Sequence, residues 1–576
     1  MKLVIMKILL AAVNAKYIHS NLAVYSLQAY AKGYCDGKVP NIEIAEFTIN
    51  QQPDEILAEI YRKKPDMVCF SCYIWNITYV EWLLAEVKKV LPDVKIWLGG
   101  PEVSYDAENV LLKFPQVTGV IRGEGEHSFM LLAAGMDYRQ IPGISYRVGA
   151  ALVRENPSAP ILNMDAIPFP YHDIEIFQNR IIYYESSRGC PFSCSYCLSS
   201  IDKQLRFRSV ELVTKELQFF IDHEVSQVKF VDRTFNCRHD HALAIWSYLK
   251  EHDKGKTNFH FEISADLLNE EELELIASMR PGLIQLEIGI QSTNPETIQE
   301  IRRTMKFTDV KAAVQKIAAR QNIHQHLDLI AGLPGEDYQS FQKSFNDVYV
   351  LQPDQLQLGF LKVLKGSVMQ ENAAKYDLLY QERVPYEVLS TKWLSYEEVL
   401  KLKGVEEVVE VYYNSGQFTN TLSWLAGKFD SPFSMYEALS QFYVRSSLSY
   451  SRLTRYEMLF QFAARHCAKR KNTGDNDIKI LRERLVLDFY LRENVKNRPD
   501  FAGEATVTKA ETAAFYDREA LEYRYLKGYE QFDKRQLRKM THLERIAGRL
   551  LLFDYRNRSI LNNQATVYEV MAQEEK

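Results

Sequence analysis

The sequence predicts an α/β protein in three parts: a doubly wound parallel sheet, then an open (β/α)6 barrel, then a mostly α-helical C-terminal domain. Three observations carry this. Short apolar runs alternate with helix-period segments from Met1 to about Met136, the rhythm resumes at Ile181 and lasts to about Leu364, and beyond about Gly366 long helix-period stretches dominate. A length of 576 residues accommodates three or four domains of roughly 150 residues.

In the first run the strand candidates are Val4–Val13, Ile42–Ile49, Met67–Ile74, Lys95–Val103 and Val117–Arg122. Helices are expected near Asn21–Ala31, Asp54–Lys63, Thr78–Val90, Ala107–Phe114 and Glu126–Gly135. Single helices between strands require a parallel sheet covered on both faces, and five such units suit a flavodoxin-like order with its ligand beyond the carboxyl ends of the strands. Residues 137–182 break the rhythm. Ile144–Arg147 and Ala151–Arg154 flank Val148-Gly149-Ala150 as a hairpin, and Pro157 to Pro170 holds four prolines, the composition of an extended linker. The second run has strands at Ile181–Ser186, Gln227–Val231, Phe259–Ser264, Leu283–Ile290, His326–Ala331 and Gln355–Lys362. Six β/α units suffice for a partial barrel, whose chemistry collects at the carboxyl ends of its strands. The remaining stretches, Tyr396–Leu402, Glu457–Lys469, Asp477–Glu493 and Arg535–Leu551, read as helices. The expected boundaries are 1–140, 141–180, 181–365 and 366–576.

The composition is that of a folded, soluble chain, with 46% apolar, 25% charged and 12% aromatic residues. Basic and acidic side chains nearly cancel, 70 against 75, so no global field recruits nucleic acid or an anionic membrane. Met1–Val13 imitates a signal peptide, but Lys7 interrupts it and the periodic pattern continues from it, so a first buried strand and a cytoplasmic location are expected. No stretch approaches the ~20 apolar residues of a membrane span.

Eight cysteines are too few for a disulfide scaffold, yet three fall in Cys190-Pro191-Phe192-Ser193-Cys194-Ser195-Tyr196-Cys197, directly after a strand. Thiolates are the usual ligands of iron–sulfur clusters, and three of them can hold three irons of a four-iron cluster while one iron stays open. An open position distinguishes a catalytic metal centre from a closed one. A structural zinc site is the alternative. It needs a fourth ligand, such as His223 or Cys237, and no second ligand pair stands at the usual spacing.

This C-x3-C-x2-C motif, on the loop after the first strand of a partial barrel, resembles the radical S-adenosylmethionine (SAM) superfamily. The resemblance implies that Cys190, Cys194 and Cys197 hold a [4Fe-4S] cluster. SAM chelates the open iron and is cleaved reductively to a 5′-deoxyadenosyl radical that abstracts a substrate hydrogen. It further implies SAM contacts from Tyr196 within the motif and from Asp232 and Thr234 in Phe230-Val231-Asp232-Arg233-Thr234-Phe235-Asn236. Asp232 and Arg233 there replace the family's glycines, and Asp232 can bind the SAM ammonium by charge. Glu262, Gln291 and Asp328 match positions that hold the ribose and amino-acid moiety, and Arg303 matches a carboxylate partner.

Three loops of the first run lie on one rim of a doubly wound sheet: Asn14-Ala15-Lys16-Tyr17-Ile18-His19-Ser20, Gly99-Gly100-Pro101-Glu102 and Gly123-Glu124-Gly125-Glu126. This arrangement resembles the cobalamin-binding domain of one large radical SAM class, implying contacts from Asn14, His19, Ser71, Gly99, Gly100, Gly123 and Glu124. The loop after the first strand departs from the D-x-H-x-x-G pattern at all three fixed positions, so cobalt is expected to be held without a protein imidazole. Cys69-Phe70-Ser71-Cys72 lies within a strand and reads as buried thiols, not a redox pair.

Residues 366–576 resemble a C-terminal extension of a bacterial subgroup of these proteins, which implies no activity. Their cluster Arg465-His466-Cys467-Ala468-Lys469-Arg470-Lys471 reads as a solvated helix end. The second cysteine set of tRNA methylthiotransferases is missing. The expectation is an oxygen-sensitive radical SAM enzyme transferring a methyl group to an unactivated carbon or phosphorus, with a small-molecule or peptide substrate and an electron donor such as flavodoxin or ferredoxin. The alternatives are a rearrangement or cyclisation enzyme and a non-catalytic iron–sulfur or corrinoid-binding module. Tyr17, Trp75, Tyr183 and Tyr184 are candidates to line the substrate path.

Overall fold

A computed structural model describes residues 6–35, 41–149, 152–443, 450–468, 475–495 and 497–571. The chain divides into two compact units, one of residues 1–320, 332–337 and 360–395, the other of residues 321–331, 338–359 and 396–576.

The first unit opens with a seven-stranded sheet of β1 (Lys7–Asn14), β2 (Asn41–Thr48), β3 (Met67–Ser71), β4 (Lys95–Gly99), β5 (Gly119–Ile121), β6 (Ile144–Val148) and β7 (Leu152–Glu155). Its order is β2-β1-β3-β4-β5-β6-β7, parallel through β5, which is the flavodoxin-like order the alternation predicts. β1 can be apolar throughout because both of its faces are covered. Leu9, Ala11 and Val13 enter one core with Val68 and Phe70, and Ile8, Leu10 and Ala12 enter another with Met67 and Trp97. Cys69 and Cys72 fall in opposite cores, and burial raises both thiols, Cys72 to about 12, so they form no redox pair.

Several elements end earlier than their apolar runs. The strand expected over Lys95–Val103 stops at Gly99, because Gly100 turns the chain at φ +108° and Pro101 then starts a short helix, Pro101–Ser104. The hairpin expected at 144–154 is an extension of the sheet, with β6 antiparallel to β5 and β7 antiparallel to β6. Val4 and Ala150–Ala151 lie outside the described residues.

The six strands of the second run are β8 (Ile182–Tyr184), β11 (Gln227–Phe230), β12 (Asn258–Ile263), β13 (Ile284–Gln291), β14 (His324–Ala331) and β15 (Gln355–Phe360). Between β8 and β11 a two-stranded ribbon, β9 (Ser187–Arg188) with β10 (Arg206–Phe207), closes the loop that carries the cysteines. In the first unit β8, β11, β12 and β13 pair in parallel, separated by helices such as Val210–Asp222 and His239–His252. A small antiparallel pair, β16 (Leu379–Tyr380) with β17 (Val388–Ser390), also belongs to this unit.

The second unit holds β14, β15 and a set of helices that includes Tyr396–Val408, Pro432–Phe442, Arg452–Ala468 and Asp475–Arg492. Lys469, Arg470 and Lys471 of the basic cluster lie outside the described residues. The helix expected over Arg535–Leu551 is a correction. Only Lys534–Met540 is helical, and the chain continues into an antiparallel sheet of β18 (Thr541–Ile546), β19 (Arg549–Arg558) and β20 (Ala565–Glu569). The two residues between Ile546 and Arg549, Ala547 and Gly548, both have positive φ, the geometry of a tight hairpin turn, which ends any helix there. Among the described residues no helix is long and apolar enough to cross a membrane.

Candidate active site

The cysteine loop is built for exposure of thiols from a rigid frame. Gly189 opens it at φ +94°, and a Cβ there would lie 2.6 Å from the Gln204 carbonyl oxygen, so only glycine fits. The backbone is pinned by Cys190 N–H donating to Asp202 O (3.2 Å), Ser195 N–H to Ile301 O (2.9 Å) and Met369 N–H to Ser195 O (2.8 Å). Cys190 and Cys194 are buried, Cys197 is half-buried, and all three thiols are free of disulfides. Arg303 lies against them, its Nη1 3.8 Å from Cys194 Sγ and 3.4 Å from the Tyr196 hydroxyl, while Nη2 donates to Gly289 O. Arg302, at φ +57°, points outward. Of these two arginines, Arg303 is the one beside the thiols. His223 caps its own helix, with Nδ1 2.8 Å from Phe219 O.

Asp232 is engaged within the fold. Its carboxylate is buried and accepts from Ser186 N–H (2.9 Å), Ser186 Oγ (2.6 Å) and Ser187 Oγ (2.6 Å). Those bonds hold the lead-in to the cysteine loop in place. Burial pushes its pKa up to about 6 from 3.8. The folded chain then keeps a proton that the unfolded chain has released between roughly pH 4 and 6, so this group's contribution to stability falls as pH rises through that window. Asp232→Asn removes the titration. The Tm of the variant relative to the natural chain should rise from pH 4.5 to 7 by the equivalent of about 2 kcal/mol; a pH-independent difference would contradict the assignment.

Glu262, at the end of β12, lies 3.8 Å from Lys229 Nζ, which also bonds Glu287 (2.8 Å), with His260 Nε2 a further 3.0 Å from Glu287. Gln291 sits at φ +72° with its amide folded back over Gly289. Thr234 Oγ donates to Arg233 O (2.8 Å). Asp328 belongs to the second unit, where it lies 3.0 Å from His326 Nε2 on the same strand.

A single cavity of about 1120 Å³ gathers the seven rim residues Asn14, His19, Ser71, Gly99, Gly100, Gly123 and Glu124, together with Tyr183, Lys229 and Glu262 from the barrel strands. It exceeds the roughly 300–1,000 Å³ of ordinary small-ligand pockets. Asn14 donates to Glu46 (2.9 Å) and to His19 O (3.1 Å), and Ser71 Oγ accepts from Asn21 (3.1 Å). His19 Nδ1 lies 2.7 Å from the Tyr183 hydroxyl; burial, then the charges of Lys16 and Lys229, lower its pKa and favour the neutral ring. A Cβ on Gly123 would meet nothing within 4 Å, so that rim is an open cradle. Trp75, stacked on Tyr73 at 4.4 Å between ring centroids, lines the cavity with Tyr183 and Tyr184, whereas Tyr17 is 62% exposed and does not.

Glu124 plays a part its position in a glycine-rich loop does not suggest. Its carboxylate is bound by Arg188 (3.1 Å) and by Arg206, and Arg188 also bonds Glu126 (2.9 Å) and Glu185 (2.7 Å). The residue two places before Cys190 is thus clasped to the rim loop. Arg188 and Lys229 escape sequence reasoning. Only Lys229, a lone charge within an apolar strand, leaves a local signal.

Comparison with known proteins places a B12-binding domain at residues 8–133, a radical SAM superfamily domain at 184–348 and a protein of unknown function (DUF4080) domain at 374–567. The chain is 26% identical over 365 residues to the uncharacterised methyltransferase PH0819 of Pyrococcus horikoshii, covering 60% of this chain and 76% of that one. It is 29% identical over 304 residues to the cobalamin-dependent radical SAM methyltransferase TokK of Streptomyces tokunonensis, covering 48% of this chain and 44%, less than half, of TokK. Among solved structures, the cobalamin-dependent S-adenosylmethionine radical enzyme OxsB, with aqua-cobalamin and S-adenosylmethionine bound, superposes with a TM-score of 0.59 at 15% identity, covering 86% of this chain and 82% of that one. That likeness is one of fold.

Proposed function

Because the chain is a radical SAM enzyme with an amino-terminal B12-binding domain, we propose that it transfers a methyl group to an unactivated carbon or phosphorus of a small-molecule or peptide substrate. The observation that carries this reading is the shared cavity: rim residues of the cobalamin-type sheet and inward-facing residues of the barrel line the same space. The relatives' names, which include methyltransferases, support the choice of reaction.

The residues fit the groups. Three free thiols on one pinned loop are a donor set for iron, and the open face at Gly123 is a cradle for a bulky ring system. Cys190, Cys194 and Cys197 would hold the cluster and leave one iron for SAM. Arg303, beside Cys194, is placed to grip a carboxylate; Glu262 can accept from ribose hydroxyls; Tyr196, Thr234 and Gln291 border the same region. Asn14, Ser71 and the glycines at 99, 100 and 123 would receive the corrin, with cobalt free of a protein imidazole because the loop after β1 lacks the D-x-H-x-x-G pattern. When bound, these groups supply a hydrogen-abstracting radical and a transferable methyl. The chain's share is to hold, orient and screen them from water. A low-potential donor such as flavodoxin or ferredoxin would supply the electron, in the cytoplasm.

Protein reconstituted without oxygen with iron, sulfide, hydroxocobalamin and a reductant should convert SAM to both 5′-deoxyadenosine and S-adenosylhomocysteine. The first product without the second would favour rearrangement or cyclisation. Neither product, with iron and corrinoid verified in the sample, would refute the reading.

A further inference from the structure

Five cationic side chains line the cavity, and four are already held by carboxylates. Arg122 bonds Glu155 at 2.8 Å, Arg188 bonds Glu185 at 2.7 Å, Arg208 bonds Glu216 at 2.8 Å and Lys229 bonds Glu287 at 2.8 Å. The fifth is Arg233. Among the described residues its guanidinium makes no hydrogen bond or ion pair, and the residue is exposed where it borders the cavity. Two carboxylates of the cavity wall are paired with other arginines, Glu185 with Arg188 (2.7 Å) and Asp202 with Arg206 (3.4 Å). The groups that feel the charge of Arg233 are the phenols of Tyr73 and Tyr105.

Position adds to this. Arg233 directly follows Asp232, whose carboxylate is bound to Ser186 and Ser187, so the start of this turn is fixed. It precedes Thr234, whose hydroxyl interacts with Cys190. The guanidinium thus stands on a rigid turn beside the cysteine loop, facing the same cavity as the stacked Tyr73–Trp75 pair. A guanidinium in a concave, aromatic-walled space presents a fork suited to a planar or tetrahedral oxyanion, and the rings beside it suit an apolar or aromatic body.

Resting on the methyl-transfer reading of this cavity, we infer that Arg233 is the specificity-determining anchor for the substrate, which carries a carboxylate or phosphorus oxyanion attached to an apolar or aromatic body. The anion pairs with Arg233, the body packs on Tyr73 and Trp75, and the reacting position is thereby held near the cysteine loop. SAM and cobalamin also carry anionic groups, so the test separates the three sources.

The experiment uses protein loaded with cluster and hydroxocobalamin, with 3-phenylpropionate, phenylphosphonate and the uncharged 3-phenylpropionamide as calorimetric probes. The anions should bind about tenfold or more tightly than the amide, the range of one charge-assisted pair. Arg233→Gln should erase the preference, Arg233→Lys should restore part of it, and SAM and hydroxocobalamin affinities should stay within about twofold. Equal binding of anion and amide by the natural chain, or a preference that survives Arg233→Gln, overturns the inference. A tenfold loss of SAM or hydroxocobalamin affinity in Arg233→Gln overturns it too, assigning the side chain to a cofactor. Failure of the methyl-transfer reading registers separately, as absent S-adenosylhomocysteine with anion binding intact.

Discussion

Cys194→Ala should abolish SAM cleavage while leaving the fold intact. Cys194 lies in a loop whose course is set by backbone bonds from Cys190, Ser195 and Met369 and by Gly189, none of which needs its sulfur. Removing a buried sulfur and leaving the alanine methyl costs on the order of 1–2 kcal/mol of packing, too little to unfold a chain of this size. The chemistry is less tolerant. Three thiolates hold three of the four irons, so losing one leaves a second iron without a protein ligand, and Arg303 loses the sulfur 3.8 Å away that its charge faces. Iron content should fall to a small fraction of that of the natural chain, and 5′-deoxyadenosine should fall to background. Far-ultraviolet circular dichroism should not change. Retention of full iron and turnover would show that these thiols are not the cluster's ligands.

Gly100→Ala should have the next largest effect, and on a different cofactor. At φ +108° and ψ 172° this residue occupies a region open essentially to glycine alone, and a Cβ would lie 2.5 Å from the Cys72 carbonyl oxygen. Strain and overpacking together cost about 2–6 kcal/mol. Relief requires the β4 turn to move away from the end of β3, which opens the rim. Hydroxocobalamin affinity should fall by more than tenfold, with a clear loss of Tm. Gly123→Ala is the contrast. Its Cβ meets nothing within 4 Å, so the only cost is about 1–2 kcal/mol for φ +67°. The sheet should survive, and any loss of corrinoid binding there reports a methyl group in the cradle. Wild-type corrinoid binding by Gly100→Ala would remove that rim from the site.

Much of this was legible in the sequence for physical reasons. A strand covered on both faces is apolar at every position, so β1 and β3 announce a parallel sheet, and glycines at strand ends mark where the backbone must turn or be approached. The three cysteines and the loop that carries them are local features and could be read directly. What could not be read was pairing across the fold. Nothing local in the sequence shows that Arg188, 64 positions later, binds Glu124, or that Ser186 and Ser187 bond the Asp232 carboxylate. Arg535–Leu551 misled for another reason. Its first half has helical spacing, and the turn that reverses it rests on only two residues, Ala547 and Gly548, the first of which carries no turn signal.

The central claim is that three sulfurs hold a cluster with one iron free for SAM, and electron paramagnetic resonance of the dithionite-reduced, reconstituted protein tests it most directly. The account predicts a [4Fe-4S]+ signal whose g-values shift when SAM is added and which is lost in Cys194→Ala. A spectrum indifferent to SAM, or a protein that binds zinc in place of iron and gives no signal at all, would contradict it.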